Sequence, residues 1–439
     1  MVRTIKKYEV AVIGAGPAGM MAAIAASQNG AKVVLVEKNE SAGKKLLLTG
    51  GGRCNLTNLE PDLRQLVGHY GKTGPFLFHA FSEFGPQKAI EFFSSLGVKT
   101  AVEEKQRVFP KGNQAQEVLE ALIKCLQKLK VEILFAKKVE KIACGNNLIK
   151  EIIFEDGEKI SAKNYIIAAG GKSYPGTGAT GDGYGWAREL GHSIDSLAPA
   201  LVPLRVKESW PKELAGVDVK NAGINVMQGE KKVLKLAGDI LFTHFGLSGP
   251  AILNASVQIG EFLKKGAVVL SIDLMPQVNR EELDKKIIDE ISKNPNRVLK
   301  NMLAVFMPQK LAAAVAMAAG VDSAKTVNDV TKEERRRLVF ATKDVRLAID
   351  GLLDIEAGMV TGGGVAVLEI DDKTMRSKII KNLFFAGEII AVHGETGGFN
   401  LQQCWATGHL AGVQACRGLK PIRIGATKAK LRSRKVIKK

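Results

Sequence analysis

Gly14-Ala15-Gly16-Pro17-Ala18-Gly19 places three glycines at the spacing that lets a chain turn tightly, bring backbone amides up to a pyrophosphate and start a helix close to the preceding strand. The flanking sequence supplies the elements this needs. Residues 8–13 read as a buried strand, 17–29 as an alanine-rich helix ending at Gly30, and 32–37 as a second strand. Glu37 closes that strand 23 residues after Gly14, where a carboxylate accepts hydrogen bonds from a ribose and disfavours a 2′-phosphate. With the positive end of a helix aimed at the phosphates, the chemistry predicted is binding of FAD or NAD in preference to NADP.

Thr49-Gly50-Gly51-Gly52-Arg53-Cys54-Asn55 follows soon after Glu37 and is within reach of the same nucleotide. Successive glycines expose amides to phosphate or flavin carbonyls, and Arg53 and Asn55 add donors. Near the other end, residues 383–386 read as a strand running into Gly387-Glu388, a second clamp on the cofactor. Gly397-Gly398-Phe399-Asn400 then opens the last long helix; an N-terminus aimed at the flavin N1/C2 region would stabilise the reduced ring's negative charge. A second GxGxxG at Gly176, Gly178 and Gly181 follows Pro175 with no apolar strand before it. It is therefore read as no nucleotide site of its own, and NADH or NADPH as a donor would have to dock transiently beside the flavin.

Three residues are candidates for work on a small-molecule substrate. Arg53 could orient it, and His244, in a loop-like stretch of the middle region, could protonate it during hydride transfer; His393, just before Gly397, is a second histidine candidate. Cys54 is read as a packing residue, since no resolving cysteine accompanies it. The five cysteines are scattered and no Cys/His spacing suits a metal, so neither a zinc site nor a disulfide framework is expected. No Ser/His/Asp spacing recommends a hydrolase.

The elements that must position these residues divide the chain. At 439 residues with 46% hydrophobic content, two or three domains are expected. Amphipathic helices are predicted around residues 76–96 and 114–129, a strand at 131–135, a hairpin from 149–154 and 159–161, and a buried strand at 164–169. Residues 190–271 alternate like an antiparallel sheet or small barrel, and 279–341 turn helical with breaks at Pro295, Pro308 and Gly320. The fold class predicted is α/β: a Rossmann-like FAD-binding domain built from both chain ends (1–189 and 345–418), interrupted by a β-barrel-like domain. The barrel takes 190–278 and about 345–365, and carries a helical insert at 279–344.

The net charge of +18 is uneven: ten basic residues and no acid lie in residues 417–439, leaving +8 for the remaining chain. The basic tail, 419–439, is read as a solvated extension, with RNA or ribosome contact as its functional alternative. Arg3, Lys6 and Lys7 before an apolar stretch resemble a secretory leader, but Glu9 and the glycine spacing speak against one. Residues 303–320 contain Pro308, Gln309 and Lys310 and so fall short of the ~20 apolar residues of a membrane span. A cytoplasmic protein without a membrane-crossing helix is expected.

Six segments in order, GAGPAGMMAAIAA, LLLTGGGRCNLTN, GGKSYPGTGATGDGY, FTHFGLSGPAIL, VTGGGV and LFFAGEIIAVHGETGGFN, closely resemble the BaiN-type, aminoacetone-oxidase-like FAD-dependent oxidoreductases. The resemblance runs from about Glu9 to Gly418. It implies non-covalent FAD held by Gly14, Gly16, Gly19, Glu37, the loop from Gly50 to Asn55, Gly387, Glu388 and the residues from Gly397 to Asn400, with Val139 touching adenine through its backbone. Pro17, Ala18, Lys38, Lys45, Thr49, Ala169 and Gly170 complete the expected contact set. The activities it implies are enone reduction and oxidation of a small aminoketone, so the substrate stays open. Phe399 departs from the tyrosine of many relatives, which weakens a proton-donor role there.

Overall fold

The computed structural model describes residues 5–419; the basic tail named above lies outside them from Lys420 onward. Strand Lys6–Ile13 is flanked in parallel by Val33–Val36 and by Lys159–Ile167, and its last six residues are buried. Glu132–Leu134 extends the sheet beyond Val33–Val36, while Leu148–Phe154 and Val139–Gly145 add antiparallel strands beyond the start of Lys159–Ile167. The far half of Lys159–Ile167 pairs with Leu383–Phe385, completing seven strands. Thus 159–161 and 164–169, predicted as two strands, are one long strand. Besides Lys6–Ile13, its beginning pairs with Leu148–Phe154 and its end with Leu383–Phe385.

The first helix, Pro17–Gln28, is buried on almost every side because it lies between this sheet and the last helix, Phe399–Cys416. Such closeness needs residues without side chains at the crossing: a Cβ on Gly408 would strike the Ala18 carbonyl, and one on Gly412 the Ala22 carbonyl. Gly412→Val is expected to destabilise the protein by roughly 1–3 kcal/mol through overpacking, read as a lower urea midpoint with unchanged slope. Around residues 76–96 the predicted single helix is divided: Phe78–Glu83 stops before Pro86–Ser95, whose leading proline suits a helix start and not an interior.

Leu204–Val206, Gly246–Ser248, Lys231–Thr243, Asp218–Gln228, Val269–Asp273 and Val345–Leu352 form, in that order, a closed antiparallel barrel. Helix Pro250–Leu263 lies within the stretch read as strands; Gly249 at φ +94° and Pro250 turn the chain from strand to helix there. Val360–Val365, instead of joining the barrel, pairs with Ile194–Ala200 as a two-stranded ribbon. Four helices, Arg280–Lys293, Leu299–Leu303, Gln309–Ala318 and Lys332–Lys343, lie in sequence between the last two barrel strands, which pair directly with each other. Leu283, Ile287, Met302, Leu311 and Leu338 merge them with barrel residues Ile224, Phe242 and Leu347 into one apolar cluster.

Candidate functional site

Parallel strands deliver their carboxyl ends to one edge of the sheet, and ligands of open α/β folds gather there. Here Ile13, Val36, Leu134 and Ile167 end on the same cleft, so Gly14 to Ala18, Glu37 to Asn39, Lys137 to Val139 and Ala168 to Gly170 line it together. Lys45, Glu388 and Cys404 line it from the loop after Gly43 and from the chain's far end. Residues from both termini are therefore neighbours in space.

Within the cleft each glycine has a distinct reason. Gly14 has φ +102°, and a Cβ on Gly19 would collide with the Gly14 carbonyl oxygen, so the turn and helix fit only without those side chains. At Gly16 the space is open: a Cβ there meets no protein atom within 4 Å. The amides of the first turn of Pro17–Gln28 have no side-chain cap, which leaves donors for an anion. Glu37 is buried; its Oε2 accepts from the Ala15 amide at 2.8 Å and its Oε1 from the Asn39 amide at 2.9 Å.

The second glycine motif begins inside the 3₁₀ turn Pro175–Thr177, with no strand running into it, so it lacks the strand–turn–helix geometry of the first. The sequence reading nevertheless missed its place, since Thr177, Gly178 and Ala179 close the same cleft. Asn39 donates to the Thr177 carbonyl at 3.0 Å, and Lys38 Nζ sits 2.7 Å from Asp182. A clue was available in Lys38 and Asn39 following Glu37, because polar side chains there can reach across the edge.

Lys45 and Glu388 join the two halves. Lys45 Nζ lies 2.7 Å from Glu388 Oε2 and 2.7 Å from Ser173 Oγ, while Glu388 Oε1 accepts from the Ser173 hydroxyl at 3.0 Å and the Thr361 amide at 2.9 Å. Gly387, at φ +76°, lets this loop pass against Ala18 and Cys404.

The Gly50–Asn55 loop carries three consecutive left-handed glycines, Gly50, Gly51 and Gly52, all exposed. Arg53 does not project free into a substrate space. Glu103 and Asn113 both accept from its guanidinium, which also rests 4.0 Å over the Phe109 ring. The pairing ties the loop to Glu103 and Asn113. Cys54 is buried at φ +62°, and burial pushes its thiol up to about 12 against a Thr49 hydrogen bond. The thiolate is the nucleophile, so its alkylation by iodoacetamide should rise about tenfold per pH unit from pH 7 to 10 and stay far below that of exposed Cys144. Peptide mass spectrometry of the native protein measures both.

Gly398, at φ +105°, opens the last helix without a side-chain cap, and Asn55 Oδ1 is buried beside it with no hydrogen-bond partner. Phe399 is buried, and Asn400 spends its amide on the loop itself, donating to the Gly394 and Glu395 carbonyls at 2.9 and 3.1 Å. His393 lies in the same loop; burial holds its imidazole below the ordinary histidine value, with the Glu388 carboxylate opposing. His244 is exposed at the turn between Lys231–Thr243 and Gly246–Ser248, touching the Phe245 ring and lining no part of the cleft.

The open space before Gly16, the two uncapped helix starts and the orphaned Asn55 oxygen fit an extended dinucleotide with a polar ring at one end. FAD has that form: Glu37 would take the ribose, the amides after Gly16 the pyrophosphate, and Gly397-Gly398 with Asn55 the flavin edge. A larger cavity of about 550 Å³ lies between the helical insert and the barrel, beside Trp210, Arg336 and Phe340. It shares no residue with the glycine turns, so the chemistry is assigned to the cleft. No helix among the described residues is long and apolar enough to cross a membrane.

The HI0933-like protein Rossmann domain model matches residues 8–414. The chain is 32% identical over 412 residues to a 3-dehydro-bile acid delta(4,6)-reductase of Clostridium scindens, covering 92% of this chain and 98% of that one. It is 30% identical over 409 residues to a ribosomal RNA dihydrouridine synthase of Escherichia coli, covering 92% and 96%. Among solved structures, the open conformation of a flavocytochrome c3 fumarate reductase superposes with a TM-score of 0.52 at 18% identity, covering 93% of this chain and 78% of that one, a likeness of fold.

Proposed function

This chain belongs to the HI0933-like Rossmann-domain family of FAD-dependent oxidoreductases, and on that premise we propose that it reduces a carbon–carbon double bond conjugated to a carbonyl. The observation carrying this reading is that the two relatives above are named as a 3-dehydro-bile acid delta(4,6)-reductase and a ribosomal RNA dihydrouridine synthase, and both names describe saturation of a ring double bond. FAD, when bound, supplies the hydride. Around it, the uncapped start of Phe399–Cys416 would favour the reduced ring's negative charge, and Asn55 Oδ1 would accept from a ring N–H.

NADH or NADPH is the donor proposed, docking transiently, because the second glycine motif closes the FAD cleft and offers no second Rossmann turn. Substrate would lie where the barrel meets the Gly397 loop: Thr396 donates its amide to Asn254 Oδ1 on helix Pro250–Leu263 at 2.8 Å, and Lys105 pairs with barrel residue Asp239 at 3.0 Å. The test is anaerobic stopped flow with dithionite-reduced protein. Conjugated enones, but not their saturated counterparts, should reoxidise the flavin; bleaching of oxidised flavin by an aminoketone, with oxygen alone as reoxidant, would replace this reading with amine oxidation.

A second reading keeps the chemistry and changes the substrate to an RNA uracil, supported by the dihydrouridine synthase relative and by the basic residues 417–439. Filter binding of ribosomal RNA across a salt series, with and without residues 419–439, tests it. Equal affinity for both forms ends the role of the tail.

A further inference from the structure

We propose that His69, oriented by Glu395, delivers the proton to substrate in this reaction, an inference that rests on the reductive reading above. His69 caps helix Leu63–Gly68, and its Nδ1 lies 2.8 Å from Glu395 Oε2. The Glu395 amide donates to the His69 carbonyl at 3.1 Å. The imidazole stacks on the Phe399 ring, with centroids 4.1 Å apart and planes at 22°. Carboxylate and ring thus hold the imidazole while the backbone bond ties residues 69 and 395 together, the arrangement in which a carboxylate fixes the tautomer of a proton-transfer histidine.

With Nδ1 bonded to Glu395, Nε2 is the working nitrogen, and it has no hydrogen-bond partner among the described residues. The His69 side chain is 32% exposed and that of Glu395 44%, so the pair can refill with a proton from water. Its position is the second argument. Glu395 lies between Glu388 and Gly397-Gly398, beside Thr396, which binds barrel residue Asn254. Asn58 donates to the Gly397 carbonyl at 3.1 Å and to the Lys105 carbonyl at 3.0 Å, and Lys105 reaches Asp239 of the barrel. The dyad therefore stands near the contacts between the loop before Gly397 and the barrel.

The sequence-based candidates are otherwise occupied. Arg53 is paired, His393 is buried with its imidazole held below the ordinary histidine value, His244 sits on an exposed turn that does not line the cleft, and Phe399 has no hydroxyl. Tyr70, next to His69, spends its hydroxyl on the Phe399 carbonyl at 2.7 Å. FAD, bound and reduced, would supply a hydride to the β-carbon, and the double-bond electrons would move onto the carbonyl as an enolate. His69 Nε2 would then give its proton to the α-carbon, so that substrate gains two electrons and two hydrogens at the expense of the reduced cofactor, and solvent returns a proton to His69.

The experiment uses full-length holoprotein reduced by dithionite, comparing wild type with His69→Ala, His69→Gln and Glu395→Gln. FAD affinity and visible spectrum should match wild type, whereas reoxidation by an enone should slow about 100-fold or more in both His69 variants and about tenfold in Glu395→Gln. Added imidazole should restore His69→Ala in proportion to imidazolium concentration, which a structural role would not produce. An active wild type with His69→Ala reoxidising within about threefold of it overturns this inference alone, as does a slowed variant that imidazole leaves unchanged. A wild type inert to every enone overturns the reductive reading, and this inference with it.

Discussion

Gly16→Ala and Gly19→Ala are expected to yield colourless protein for opposite reasons. At Gly19 the new methyl meets the Gly14 carbonyl, so the helix must back away from its turn and the apoprotein itself loses stability. At Gly16 the φ of −79° suits alanine and no protein atom stands in the way. The apoprotein should therefore keep its stability to within about 1 kcal/mol, the scale of a changed helix cap, while FAD affinity falls about 100-fold or more, some 2.7 kcal/mol. Urea midpoints of the stripped proteins and FAD titrations separate the two. A Gly16→Ala protein that binds FAD as wild type does would remove the nucleotide from that space.

Glu388→Ala should be the most damaging single truncation of a polar group in the cleft. Glu388 and Lys45 have side chains only 15% and 21% exposed, and removing the carboxylate leaves the ammonium its bond to Ser173 Oγ but no counter-charge, and takes the acceptor from the Ser173 hydroxyl and the Thr361 amide. Losing one partner of a buried pair costs about 3–5 kcal/mol, and the residual exposure puts this case near the lower end. Lys45→Met with Glu388→Leu should recover much of the loss, and a double-mutant cycle on denaturation midpoints measures the coupling. A cost below about 1 kcal/mol for Glu388→Ala would mean that the pair is solvated and that the halves are joined mainly by the Gly408 and Gly412 crossing.

Local signals carried much of this architecture. The first turn was legible because strand, glycine spacing and Glu37 fall within a single unit, and the helical texture after residue 279 reflects amphipathic helices that begin with capping boxes at Asn279 and Thr331. What escaped was set by distant partners. Arg53 looks like a free cation in sequence, and its neutralising Glu103 is fifty residues away. Helix Pro250–Leu263 hid within strand-like texture because its apolar residues also suit a buried strand. His69 had no motif to mark it; only folding brings Glu395 and Phe399 to its ring.

The seam strand Leu383–Phe385 completes a sheet whose neighbouring strand ended at Ile167. During synthesis, the ribosome must therefore produce the barrel and its insert before the coenzyme's pocket gains its far wall. Until then the first helix has an uncovered apolar flank, a stretch for chaperones to shield. Loading of the yellow prosthetic group becomes a late event in biogenesis, and polypeptides truncated before residue 383 should accumulate uncoloured and prone to proteolysis.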